Sequence, residues 1–134
     1  MFKKTVTYTD YNDVKRTETF YFNFTKAEIL EMELGTVGGL SAMIQGIIDA
    51  KDTPALIKVF KELVLKAYGE KSADGKRFIK SPELSEQFAQ TEAYSDIFME
   101  LATDDVAAAA FVKGVTPEGL EDYNKNALTE KNPE

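Results

Sequence analysis

Cysteine, histidine and tryptophan are all missing from this chain. Without thiols it has no disulfides and no sulfur nucleophile. Without imidazole it lacks the side chain best suited to acid–base work near neutral pH and the ligand set of ordinary zinc sites. No apolar run approaches the ~18 residues that a membrane-spanning helix needs. The opening Met1-Phe2-Lys3-Lys4-Thr5 passes into polar alternation, not into the apolar core of a secretory signal. Positive charge is also in short supply, since sixteen Lys and Arg face twenty-three Asp and Glu for a net charge of −7. That balance repels phosphate backbones and anionic lipid surfaces. The expectations are therefore no enzyme, no cofactor, no metal, no nucleic acid and no membrane, with a cytoplasmic location by default.

What the chain does have is bulk for a core. Its 134 residues are 43% apolar and include nine Phe and six Tyr, enough for one domain without a covalent staple. From Met1 to Thr9 apolar and polar residues alternate, with Val6 and Tyr8 on one face and Thr5, Thr7 and Thr9 on the other. Asp10-Tyr11-Asn12-Asp13 is a turn. The run Val14 to Phe24 then sets Phe20, Phe22 and Phe24 on one face, and Thr17, Thr19 and Tyr21 on the other. A β-hairpin over 1–24 is expected, its aromatic face lying against helices or against a second copy, because a two-stranded ribbon is barely stable alone.

Thr25 to Glu28 fits a capping box, so a helix should begin near Lys26 and run to about Leu34, with Gly35 as its stop. Leu40, Met43, Ile44, Ile47 and Ile48 mark a second amphipathic segment. Thr53-Pro54 opens a third, in which Leu56, Val59, Phe60, Leu63, Val64 and Ala67 form a stripe wide enough for the central helix of the core. That helix should close at Tyr68 with a turn at Gly69. Beyond it, Lys66, Lys71, Lys76, Arg77 and Lys80 make a local basic cluster around a polar loop, and Phe78-Ile79 is a short extended piece or an irregular crossing. Ser81-Pro82, Thr91-Glu92 and Thr103 to Asp105 start further helices. The last of these carries Val106, Ala110 and Phe111 and ends at Gly114. The fold class expected is α+β and predominantly helical, a hairpin followed by five or six helices. The globular part spans 1–115 (helical over 25–115), and 116–134 is a flexible acidic tail.

No constellation of these residues carries chemistry. Asp10, Asn12 and Asp13 lack the glycine and terminal glutamate of a calcium loop and read as turn formers. Glu28, Glu31 and Glu33 read as a solvated helix face. No serine has a base beside it. The glycines of Gly35-Thr36-Val37-Gly38-Gly39 lack the lysine and hydroxyl of a phosphate loop.

Three segments carry a resemblance. They are Thr19 to Glu28, Phe60 to Gly69, and Asp74 to Ser81 continued by Phe88, Thr91 to Tyr94 and Phe98 to Leu101. Together they resemble the tail assembly chaperones of long-tailed phages and prophages, especially those of Gram-positive hosts, over about residues 1 to 115. The resemblance implies a non-enzymatic protein of the host cytoplasm, absent from the mature virion. Such a protein binds and solubilises the tape measure protein, helps recruit tail tube subunits and forms a homo-oligomer. The alternative is a structural tail or head–tail connector component kept in the virion. The residues expected to make protein contacts are Phe20, Phe22, Phe24, Ile44, Ile48, Phe60, Lys76 and Arg77.

Overall fold

The computed structural model describes residues 1–34, 49 and 53–117. Strands β1 (Phe2–Thr9) and β2 (Lys15–Phe22) form the expected hairpin in antiparallel register, from Phe2 opposite Phe22 to Thr9 opposite Lys15. The period of two delivers Val6, Phe20 and Phe22 to the buried face, with Phe24 following. On the outer face Thr5 bonds Thr19 at 2.8 Å and Thr7 bonds Thr17 at 2.9 Å, hydroxyl to hydroxyl. At the turn Asp10 accepts the amides of Asn12 and Val14 at 2.8 and 2.9 Å and pairs with Arg16, while Asp13 takes a left-handed φ of 61°. Arg16 and those amides hold the Asp10 carboxyl below its usual range.

Helix α1 (Lys26–Leu34) opens on the capping box the sequence announces. Thr25 donates its amide to Glu28 at 2.9 Å and accepts the Glu28 amide at 3.2 Å. The segment around Ile44 and Ile48 lies outside the described residues. Helix α2 (Thr53–Ala67) departs from expectation. Only its C-terminal part, Leu63, Val64 and Ala67, is buried, whereas Leu56, Val59 and Phe60 are half-buried and Ile57 is exposed.

The larger correction lies just beyond. The chain does not turn at Gly69 but runs from α2 straight into β3 (Tyr68–Lys71), which pairs with β2 through Tyr21 opposite Gly69 and Phe22 opposite Tyr68. A second hairpin brings β4 (Phe78–Ile79) onto β3, giving a four-stranded antiparallel sheet in the order β1-β2-β3-β4. Gly69 is small because a Cβ there would meet the Phe78 ring at 2.7 Å and the Ile79 carbonyl at 2.8 Å.

Three capped helices follow among the described residues. Ser81 accepts the Leu84 amide before α3 (Pro82–Ala89), Thr91 accepts the Tyr94 amide before α4 (Glu92–Thr103), and Asp104 caps α5 (Asp105–Val115). Helix α5 runs through Gly114, which was expected to end it; Phe2 packs against that glycine.

These helices cover one face of the sheet, so the Phe residues of the hairpin become the middle of the core. Phe22 is fully buried, with ring centroids 6.1 Å from Phe2, 5.9 Å from Tyr68, 5.8 Å from Phe88 and 5.7 Å from Phe111. Tyr68 stacks on Phe88 at 4.1 Å. Each such pair adds about 0.5–1.5 kcal/mol beyond burial of its area.

Candidate protein-contact surfaces

The residues singled out from the sequence as protein contacts divide sharply in the structure. Phe20, Phe22 and Phe24 are buried by the chain's own helices. They are spent on the core and present no surface. Phe60 is half-buried on α2, and Ile44 and Ile48 lie outside the described residues.

Lys76 and Arg77 are exposed, on the turn between β3 and β4. Local chemistry shapes that turn. Asp74 accepts the Ser72 hydroxyl at 2.6 Å and the Lys76 amide at 3.0 Å, and Ser72 in turn accepts the Arg77 amide at 3.0 Å. The same two donors hold the Asp74 carboxyl below its usual range.

Two further members of the basic cluster are committed elsewhere, while Lys66 is exposed on α2. Lys71 sits 4.6 Å over the Tyr21 ring, and Lys80 turns inward to Glu28, to the Asn23 carbonyl and to the face of Phe24. The expected exposed basic loop is therefore narrower than its sequence suggests.

A second surface has no counterpart in the sequence reading. A groove of about 400 Å³ runs between the start of β1 and the α4–α5 corner. Phe2, Ile97, Leu101, Val106, Ala107 and Ala110 supply its apolar lining, and Lys3, Lys4, Glu100 and Asp104 supply charge around it. Lys4 Nζ pairs with Glu100 Oε1 at 2.7 Å across the groove, tying the strand to α4. Asp104 is occupied in capping α5, accepting the amides of Val106 and Ala107 at 2.9 and 3.2 Å.

Val106, at the start of α5, is 79% exposed and does not pack inward. The side chains that do turn inward from α5 are Phe111 and Val115. One sequence signal was available, the run Ala107 to Ala110, because small side chains on a helix leave space beside a neighbouring strand and do not fill it.

Chemically the groove suits the apolar side chains of a partner segment with mixed charge at its margins. Among the described residues no three acidic side chains cluster as a metal site would require.

A family model described as phage tail assembly chaperone covers residues 1–134. No curated protein matches, and no solved structure matches.

Proposed function

The chain belongs to the phage tail assembly chaperone family, and from that premise we propose that it binds and solubilises the tape measure protein during assembly of a long, siphovirus-type tail. It acts without catalysis, in the cytoplasm of a Gram-positive host carrying the phage or prophage, and it leaves before the virion is complete. It also helps recruit tail tube subunits, and it works as a homo-oligomer. Membership of the family over the whole chain is the observation that carries this reading.

The surface chemistry is compatible with it. A holdase for a long apolar helical protein needs a place for side chains that its own fold does not fill. The groove beside β1 offers an apolar floor between charged margins. Exposed Met99 and Val112 add apolar area on α4 and α5.

Co-expression with the tape measure protein tests the proposal. The expected result is a soluble complex that co-purifies; unchanged insolubility of the tape measure protein overturns it. Mass spectrometry of purified virions separates this reading from the structural one. A chaperone is absent from finished particles, whereas a tail or connector component is present in stoichiometric amount.

A further inference from the structure

We infer that the free edge of β1 is the self-association surface, and that two copies join there as antiparallel neighbours about a two-fold axis, extending the sheet across both chains. The inference rests on the homo-oligomer in the proposed function and names its contact.

The hydrogen-bond pattern leaves that edge open. Asp10 donates its amide to the Val14 carbonyl, continuing the register in which Tyr8 faces Arg16, Val6 faces Glu18 and Lys4 faces Phe20. In an antiparallel pair, successive residues point their backbone groups alternately to the partner strand and away from it. The amides and carbonyls of Lys3, Thr5, Thr7 and Thr9 therefore point outward. β1 stands at the end of the strand order, and among the described residues no strand pairs with its outer side.

Edges of this kind are usually blunted by proline, a bulge or lysines along their length. From Thr5 to Thr9 there is none of these, and the unbroken register of the hairpin leaves the edge straight.

The register about Val6 is self-complementary and selects a second copy. Lys3 and Lys4 stand at one end of β1, whereas at the other Asp10 is paired with Arg16 and Lys15 faces Thr9. Parallel pairing stacks lysine on lysine, whereas antiparallel pairing keeps the lysines of the two copies at opposite ends of the seam. With the two-fold axis at Val6, Thr5 faces the partner's Thr7, Lys3 faces the partner's Thr9, and Phe2 faces the partner's Asp10. That register uses every outward backbone group from Lys3 to Thr9. It continues on the outer face the threonine pairing already made between Thr5 and Thr19 and between Thr7 and Thr17. It also lays the partner's hairpin turn, with its exposed Tyr11 and Val14, beside the Phe2 end of the groove.

Proline provides a selective test. At Thr7 it removes an outward amide and leaves the β1–β2 ladder intact, which an edge strand tolerates. Light scattering over a concentration series should give a dimer or a multiple of it for the native chain, and a single-chain mass for folded Thr7→Pro. Thr5→Pro should behave in the same way, so the test survives if one variant folds poorly. Glu86→Gln, exposed on α3 away from β1, should leave the mass unchanged.

Because the chain has no cysteine, cross-linking reads the register directly. A mixture of Thr5→Cys and Thr7→Cys proteins treated with diamide should form disulfide-linked dimers well beyond either protein alone, since paired Cα atoms ~5.5 Å apart lie within disulfide reach. Folded proline variants that keep the native mass, or no preference for the mixture, overturn the interface alone. A native chain that is monomeric at every concentration overturns self-association with it.

Discussion

Lys80 Nζ lies 2.7 Å from Glu28 Oε2 and also donates to the Asn23 carbonyl, so one ammonium fastens the end of β4 to the first turn of α1. Burial by itself raises the Glu28 pKa, but Lys80 and the capping contacts with Thr25 outweigh it and hold the carboxyl below its usual range. A carboxyl depressed in the folded state stabilises at any pH above its unfolded pKa, and that contribution disappears as pH falls through the folded value. Urea midpoints should therefore be flat from neutral pH to about pH 5 and drop below about pH 4.5. The drop should be shallower in Glu28→Gln. Both partners are partly solvated, so Lys80→Met should cost only about 1 kcal/mol at pH 7, measured by the same denaturation.

Two glycines in one hairpin should respond for different reasons. At Gly69 a Cβ would press on the Phe78 ring and the Ile79 carbonyl, and a backbone carbonyl cannot rotate away. Gly69→Ala should destabilise by about 2 kcal/mol, as overpacking of a filled core does. Gly75 has open space around it but a φ of +75°, so Gly75→Ala should cost about 1 kcal/mol through backbone strain. Thermal melts of the two variants give the order, and equal losses would contradict the packing argument.

Those glycines also mark what the sequence conceals. The hairpin was legible from its period of two on either side of a turn, and the capping box at Thr25 and the caps at Ser81 and Thr91 from contacts between residues three positions apart. β3 and β4 were not. Tyr68 to Lys71 and Phe78-Ile79 are too short to show a period of two, and they become strands only by pairing with β2 and with each other. Gly69 has the local signature of a helix stop, yet its size serves an approach by a ring nine positions away. The groove was hidden for a similar reason. Phe2 meets Ala107 and Ala110 there across nearly the whole globular part, and although the run Ala107 to Ala110 marks room beside a helix, nothing in it points to Phe2 as the neighbour.

The burial of the aromatic face predicts a separation between stability and contact. Phe20→Ala and Phe24→Ala should cost about 3–5 kcal/mol and appear as lower thermal midpoints and poorer expression, because both rings lie in the core. Lys76→Glu with Arg77→Glu should leave stability within about 0.5 kcal/mol of the native value, since both side chains are exposed on the turn. If that turn receives an acidic segment of a tail protein, the double reversal weakens capture in pull-downs at low salt, and the difference shrinks as salt is raised. Unchanged capture at low salt removes Lys76 and Arg77 from the contact surface.

Val106 gives the cleanest handle on the groove. Its side chain is 79% exposed in the first turn of α5, and its amide is already held by Asp104. A glutamate there adds an acid at a helix N-terminus, where the dipole favours it. Val106→Glu should therefore leave the thermal midpoint nearly unchanged, within about 0.5 kcal/mol of stability. It also places a charge on the apolar lining where a client side chain would sit, and stranding that charge without a partner is costly. Co-expression should then recover markedly less soluble tape measure protein than with the native chain, while a conservative Val106→Ile retains it. Equal recovery with all three would place the client elsewhere on the protein and leave family membership untouched.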